Sequence, residues 1–454
     1  MIRLFRVFVP SSVLALLVFD ILLITSAFIL TTYLVMEVDP VPYLLYDRGL
    51  VRIFVMVLTI LIGLYLQDFY PRFHVQSRIV LLQDLCVAMG WAFLLQGLIS
   101  YLDPDLKSPM PVILWGSLLT LVVMFLWRVF FSAHALEILG RDRLLLVGGS
   151  PLLEDIGKYV GEHPELGLLV AGYVRDSQAA GSALPGGEIL GPIASLRDVV
   201  ETARPDRIVV GLFERGVHPP IVELLELRFA GYAVEEAASA YERIRGRVCL
   251  AELRPSQLME SGEFGPRPRN VLYQSLWNAS LAAIGVALAA PIMAIAALVV
   301  KLSSPGPILH RQARAGLHDA VFTLYKFRST RIDAEDGPQI TRAGRIIRQL
   351  RIDNLPQLFN VLKGDMSFVG PRPERPEFVA ALSGHIPYYR QRHSVRPGIT
   401  GWAQMNYALQ GGELLDTVAR LERDLYYIKN MSLGMDTFIM FHAVKSLALS
   451  RGSQ

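Results

Sequence analysis

Charge is scarce in this chain. Of its 454 residues only 19% are Asp, Glu, Lys or Arg, while 52% are hydrophobic, and the mean hydropathy is +0.38. That balance excludes a wholly soluble protein and points to membrane segments joined to one or two globular units. The net charge of +3 excludes a general nucleic-acid-binding character. Cysteine is scarcer still. Cys86 and Cys249 are the two present, neither lies in a metal-spaced cluster, and Cys86 falls inside an apolar run. Neither a disulfide framework nor a zinc site is therefore expected. A small-residue cleavage site is also missing after the first apolar stretch, which implies a retained anchor rather than a removed signal.

What the chain has instead is long apolar runs. Four open it, at roughly 9–36, 49–67, 78–100 and 111–134, each approaching the ~20 residues that cross a bilayer core. Arg3 and Arg6, Arg72 and Arg78, then Arg141 and Arg143 mark one side. Glu37, Asp39, Asp47, Asp103 and Asp105, against Arg48 and Lys107, mark the other. The positive-inside rule places both termini, and everything after residue 140, in the cytoplasm. Residues 1–140 thus read as a four-helix transmembrane region.

Residues 141–246 change character. "RLLLVGG", "LGLLVAGYV" and "DRIVVGL" are short apolar runs separated by helix-like segments such as "PPIVELLELRFAG". The alternation predicts βαβ units around a parallel sheet, a Rossmann-like α/β domain. Its first strand ends in Gly148-Gly149-Ser150 rather than G-x-G-x-x-G, so a regulatory or packing module is preferred over a dinucleotide site. A Pro-, Gly- and charge-rich linker over 247–268 follows.

From Trp277 to Val300 the chain is again apolar enough to span, but Pro291 falls in the middle. Proline removes a backbone donor and clashes with the preceding turn, so a kink is expected there. A fifth span would export the Arg-rich remainder, with Lys301, Arg311 and Arg314 just past the helix. The positive-inside rule favours instead a re-entrant helix at about 272–302 that returns to the same face.

Between Arg311 and Arg396 there are 15 Lys/Arg against 8 Asp/Glu, an excess of seven where the whole chain has three. A basic surface beside a membrane suits lipid head groups or phosphorylated substrates. Here the basic residues sit in Gly- and Pro-rich turns, "YKFRST", "GPRPERPEF" and "RHSVRPGITGWAQ", which can present arginines to phosphates bidentately. Asp353, set among Arg345, Arg348 and Arg351, is expected to stay ionised because positive neighbours favour the carboxylate. Such a carboxylate can act as a nucleophile on a diphosphate when cations screen the repulsion, or can serve as a plain salt bridge. Trp402 reads as core or interfacial anchoring, and Tyr426 and Tyr427 as one packed and one polar. The "DAED" run at 333–336 reads as a solvated loop. His310, His318 and His393 have no ligand spacing and receive no role.

Five ordered motifs over about 269–450, "SSPGPILHRQARAG", "LYKFRST", "RIDNLPQLFNVLKGDMSFVGPRPERPEF", "RHSVRPGITGWAQMN" and "DLYYIKNMSL", resemble the bacterial sugar transferases. These are the monotopic polyprenol-phosphate phosphoglycosyl transferases that initiate membrane glycoconjugate assembly. With four preceding spans and a Rossmann-like insert, the whole chain resembles the large members, undecaprenyl-phosphate hexose-1-phosphate transferases, and "PERPEF" fits the exopolysaccharide branch. The resemblance implies a mainly α catalytic domain over 269–454 with a re-entrant helix broken at Pro291, on the cytoplasmic face of the bacterial inner membrane. It implies transfer of a sugar-1-phosphate from a UDP-sugar to undecaprenyl phosphate, releasing UMP, through a covalent intermediate on Asp353 with Mg²⁺. Arg328, Ser329, Arg348, Arg372, Arg392 and Arg396 match positions that hold substrate phosphates, and Asp424 and Tyr427 match the late D-x-Y-Y element. A homodimer through the middle domain is also implied.

One residue departs from the family pattern: Asn354 stands where the family has Glu. An amide keeps an oxygen donor but loses a charge, which weakens a Mg²⁺ site. An inactive form, a variant whose metal is held by Asp353 and substrate phosphates, and a compensating carboxylate from Asp365, Glu374 or Glu377 all stay open. Two other functions compete. A membrane-anchored nucleotide-sugar dehydratase or epimerase needs a Gly-rich cofactor loop and Tyr-x-x-x-Lys, neither of which the C-terminal portion has. A scaffold that binds lipid or partner enzymes without turnover would tolerate Asn354.

Overall fold

The first four long helices are apolar on every side, which suits lipid and not water. They are α1 (Ser11–Val35), α2 (Gly49–Leu66), α3 (Arg78–Leu102) and α4 (Met110–Ile138). The computed structural model describes residues 2–4, 7–9, 11–36, 39–70, 77–138, 141–176, 181–211, 220–253, 265, 268–331, 339–406 and 413–448. The acidic run 333–336 lies outside the described residues, as do Arg6, Glu37 and Arg72 of the orientation argument. Residues 8–240 and 241–454 form two compact units.

In the first unit, Ile24, Phe28, Ile53, Ile60, Leu85, Ala88 and Met124 pack inside the helix bundle, while Leu22, Leu34, Phe54, Leu94 and Leu126 face outward. At Gly63 a Cβ would lie 2.2 Å from the Ala88 carbonyl oxygen, so glycine is what lets α2 and α3 approach so closely. A charge pair is buried in the bundle: Arg128 Nη2 donates to Asp20 Oδ2 at 2.6 Å, and its guanidinium lies over the rings of Phe69 and Tyr70. Burying two charges requires such pairing, since either alone would be left uncompensated.

Beyond the bundle, a six-stranded sheet is built on β1 (Asp142–Val147), β2 (Leu168–Val174), β3 (Gly187–Gly191), β4 (Arg207–Val210) and β5 (Ala233–Glu236). These five are parallel in the order β3-β2-β1-β4-β5, with the two-residue strand Ala183–Leu184 antiparallel at the β3 edge. Crossover helices α5 (Pro151–Glu162), α6 (Leu196–Ala203) and α7 (Ile221–Phe229) account for the apolar alternation of the sequence. Leu144 to Val147 of β1 are completely buried, as a central parallel strand requires.

The second unit begins within helix α8 (Ala237–Arg245). The described part of the expected linker is held firmly to this unit. Val248 is buried in its core and donates its N–H to the Glu422 carbonyl, and Trp402 Nε1 donates to the Gly246 carbonyl at 2.7 Å. Helix α9 (Pro268–Ser303) runs 36 residues, continuous through Pro291. Among the described residues it is the fifth helix long and apolar enough to cross a membrane. Ala282, Met293, Ala296 and Val300 line its packed side, while Leu276, Ile284, Leu288, Ile295 and Leu302 are exposed. These five helices make the chain a membrane protein.

After α9 comes an antiparallel hairpin, β6 (Leu309–Ala315) and β7 (Val321–Phe327). Then follow α10 (Arg342–Gln349), a single 3₁₀ turn Ile352–Asn354, and α11 (Gln357–Lys363). Strand β8 (Ser367–Val369) pairs in parallel with β9 (Gly398–Thr400), with α12 (Pro376–Ser383) between them. Helices α13 (Trp402–Asn406), α14 (Glu413–Asn430) and α15 (Leu433–Ala448) close the unit.

Candidate active site

The catalytic candidates converge on one face of the β6–β7 hairpin. Alternate residues of a strand share a face and directly opposed residues share it across strands. The register pairs His310 with Lys326 and Gln312 with Leu324, so His310, Gln312, Arg314, Leu324 and Lys326 all lie on that face. Opposite it is the turn that carries Asp353. This turn begins at Arg351, whose φ of +53° puts a non-glycine residue in the left-handed region and reverses the chain after α10. Pro356 then starts α11 with a φ already suited to a helix.

Two polar cavities result, and Lys326 lines both. One, of about 240 Å³, is bounded by Asp353, Arg348, Ser329, Thr330, Lys326, His310 and Gln312. The other, of about 180 Å³, is bounded by Asn354, Arg351, Gln357, Lys326, Arg314 and Arg372. Neighbours in sequence, Asp353 and Asn354 therefore serve different cavities.

Helix α10 delivers Arg348. Thr341 caps the helix, its Oγ1 accepting from the Gly344 N–H at 2.8 Å. A Cβ at position 344 would lie 2.0 Å from the Ser329 carbonyl oxygen, so only glycine lets α10 press onto the end of β7. That contact brings Arg348 Nε to Ser329 Oγ at 2.7 Å. Burial pushes the Asp353 carboxyl above its ordinary range, opposed by Lys326 and then Arg348. The sequence saw the cations that favour the carboxylate but not the desolvation of the half-buried turn, which opposes them. Burial likewise lowers Lys326, and Asp353 acts against that shift.

Other residues singled out in the sequence lie outside the cavity that holds Asp353. Buried Arg328 turns its guanidinium to the end of α9, donating to the carbonyls of Ser304 at 2.6 Å, Val300 at 3.5 Å and Pro305. It satisfies orphan carbonyls at a helix C-terminus and fixes the hairpin to that helix end. Arg392 forms a buried ion pair with Asp424 at 2.8 Å, and its Nη2 donates to the Arg372 carbonyl at 3.1 Å. Tyr427 donates to Asp436 Oδ1 at 2.7 Å, with the Val369 carbonyl 3.3 Å away, and Gln274 donates to Asp436 Oδ2 at 2.8 Å. Asp424, through Arg392, and Tyr427 thus hold the two ends of the Val369–Arg372 segment from below. Arg372 itself is exposed at the second cavity. Arg396 Nη1 donates to Ser275 Oγ of α9. Trp402 is buried, stacked on Tyr426 with centroids 5.6 Å apart, and both Tyr426 and Tyr427 are buried.

Lys326, Gln312 and Gln357 were not singled out in the sequence, His310 was given no role there, and Arg314 and Arg351 entered only as charges. The available signal was the alternation of "HRQAR" against "LYK", visible only once the two segments are paired as a hairpin.

The site offers few oxygen donors for a cation. No group of three or more His, Cys, Asp or Glu positioned to hold a metal occurs among the described residues. Asp353 is the one carboxylate among the described residues lining either cavity. Asn354 Oδ1 accepts from Gln357 Nε2 at 2.7 Å. Of the three possible compensating carboxylates, Asp365 accepts from Asn360 Nδ2 and Glu374 lies 3.8 Å from Arg314, and none of the three lines either cavity. This donor set fits Mg²⁺ only in the mode where one carboxylate is joined by water and substrate phosphates.

An apolar helix bundle, a long apolar helix and a polar site lined by Lys326, Arg348 and Asp353 define the class, a membrane protein with a cationic cavity. The bacterial sugar transferase family model matches residues 269–450. Over 362 residues the chain is 32% identical to a UDP-glucose:undecaprenyl-phosphate glucose-1-phosphate transferase of Xanthomonas campestris pv. campestris, covering 74% of this chain and 73% of the relative. The chain belongs to the bacterial sugar transferase family. It is also 41% identical over 222 residues to a UDP-N-acetylgalactosamine-undecaprenyl-phosphate N-acetylgalactosaminephosphotransferase of Aeromonas hydrophila, covering 47% of this chain and 52% of that relative. The match to the Aeromonas protein thus spans about half of that relative's length. An exopolysaccharide production protein of Rhizobium leguminosarum bv. phaseoli is 43% identical over 178 residues, 36% of this chain and 88% of the relative.

Proposed function

We propose that this protein transfers a sugar-1-phosphate from a UDP-sugar to undecaprenyl phosphate, releasing UMP, as the initiating step of exopolysaccharide or related glycoconjugate assembly. The observation that carries this reading is the placement of Asp353 in a polar cavity with Lys326 and Arg348. Neither cavity alone reaches the roughly 300 Å³ of a small-ligand pocket. A UDP-sugar bridging them would lay its diphosphate across Lys326, with its sugar-bearing phosphate toward Asp353.

The Asp353 carboxylate attacks the sugar-bearing phosphorus. The bond from that phosphorus to the bridging oxygen breaks, and the oxygen leaves with UMP. A phosphate oxygen of the lipid then attacks the same phosphorus, forming the diphosphate and returning Asp353 as a carboxylate. Lys326 and Arg348 offset the anion–anion repulsion in both steps. Asp353 and substrate phosphate oxygens would hold Mg²⁺, which supplies further charge neutralisation when bound.

The same reading puts both termini and the catalytic unit on the cytoplasmic face of the inner membrane, which requires α9, a single continuous helix in this structure, to bend at Pro291 in the membrane and leave by the face it enters. Lys301, Arg311 and Arg314 after the helix support it, as does Arg328, which ties the helix end to the catalytic hairpin. The protein is further proposed to act as a homodimer. The test is incubation of the purified protein with labelled UDP-sugars, undecaprenyl phosphate and Mg²⁺: UMP and a labelled lipid should appear together. Turnover that appears only after Asn354→Glu would instead favour a scaffold role for the natural chain.

A further inference from the structure

We infer that the isoprenoid chain of the acceptor lies in an apolar groove along the second half of α9. The inference rests on the transferase reading and adds the location of the lipid. The groove measures about 880 Å³ and is lined by Met293, Ala294, Ala297, Ile308, Pro356 and Phe359. This exceeds either polar cavity several-fold, and its walls are mainly hydrocarbon, with His310, Arg311 and Arg328 at the polar part.

Three observations select a prenyl phosphate as occupant. First, one wall is the stretch of α9 after Pro291, whose neighbouring side chains Ile292, Ile295 and Leu298 are exposed and apolar. A lipid chain can reach the groove along that helix without crossing water. Second, the groove adjoins the Asp353 cavity, with His310 and Phe327 lining both. Third, Arg311 also lines the groove, beside His310, which is opposed to Lys326 in the hairpin register. A chain in the groove therefore has Arg311 beside it and Lys326 with Asp353 in the adjoining cavity, which suits a lipid with one terminal phosphate.

In-line displacement adds a constraint. UMP leaves from the side of the phosphorus opposite Asp353, and the second attack must come from that side too. The lipid phosphate then occupies the place vacated by the phosphate of UMP, next to Lys326, and the groove supplies a route to it. Binding of donor and acceptor phosphates at that point is mutually exclusive.

The test uses the full-length protein in phospholipid nanodiscs with a photoreactive prenyl phosphate carrying a diazirine on its chain. Crosslinks are expected at Met293–Ala297 or Phe359, and undecaprenyl phosphate should compete them away while phosphatidylglycerol does not. Crosslinks elsewhere, or equal competition by phosphatidylglycerol, would overturn the assignment and mark the groove as a site for bulk lipid. In a second arm, Ala294→Trp narrows the groove at an exposed position. Its kcat/KM for undecaprenyl phosphate should fall at least about tenfold, with a much smaller loss for a two-isoprene prenyl phosphate. Equal losses with both acceptors would contradict the proposal. If the wild-type protein releases no UMP from any UDP-sugar, the transferase reading fails, and the crosslinking result still decides whether the groove takes a prenyl phosphate.

Discussion

Arg348 reaches back from the end of α10 to Ser329, Nε to Oγ at 2.7 Å, and this hydrogen bond aims its guanidinium across the cavity that holds Asp353. Ser329→Ala removes the aim and keeps the charge. A hydrogen bond to a charged group is worth about 1.5–3 kcal/mol, so kcat/KM for the UDP-sugar should fall by roughly 10- to 100-fold. Arg348→Lys should do no better, because a point charge cannot replace an oriented fork. Full activity in both variants would remove Arg348 from the phosphate site.

Lys326 lowers the pKa of Asp353, which burial alone pushes upward. Attack requires the carboxylate, so the rate declines as pH falls through the Asp353 pKa. Lys326→Gln should therefore move the acid limb of the kcat/KM profile to higher pH as well as reduce its plateau. An acid limb that stays in place would mean that Lys326 does not act on Asp353.

Asn354 faces the second cavity and accepts from Gln357. Asn354→Glu adds a carboxylate beside Asp353. The Mg²⁺ concentration giving half-maximal activity should drop several-fold, because hard cations favour charged oxygen donors. A metal titration that does not move would show that position 354 lies outside the cation's reach.

Asp436 is buried under Tyr427 and Gln274, and its pKa is pushed up to about 6 from the ordinary 3.8. Between these values the folded protein holds a proton that the unfolded chain has released. Stability should therefore fall as pH rises from about 4 to about 6 and level off above that. Thermal unfolding of Asp436→Asn in detergent should show a shallower decline across this window than wild type. An unchanged slope would assign the titration to other groups, of which Asp424, also raised to about 6, is the first candidate.

The architecture was largely legible because its signals are strong. Four apolar runs near bilayer length and three buried-strand runs with helical spacers each require one kind of structure, whereas the helix containing Pro291 admitted both a span and a re-entrant turn. The site was only partly legible. Asp353, Arg348 and Ser329 come together in one cavity. Arg328, Asp424 and Tyr427 sit in the same motifs, but their side chains turn inward to helix carbonyls, Arg392 and Asp436. Sequence spacing does not say which way a side chain points. Lys326 escaped notice, and His310 received no role, because β6 carries few apolar residues while β7 is apolar on both faces, so no hydrophobic alternation announces their shared face. The cations around Asp353 were legible but the desolvation that opposes them was not, because charge is visible in a sequence and burial is not. The Asp20–Arg128 pair was missed because its charges are 108 positions apart within otherwise apolar runs.

The most direct test of the central proposal is intact-protein and peptide mass spectrometry after incubation with a UDP-sugar, in the absence of lipid acceptor. A sugar-phosphate adduct on the peptide containing Asp353 is expected, chased away by undecaprenyl phosphate and missing from Asp353→Asn. Turnover without any adduct, or an adduct on another residue that persists in Asp353→Asn, would contradict it.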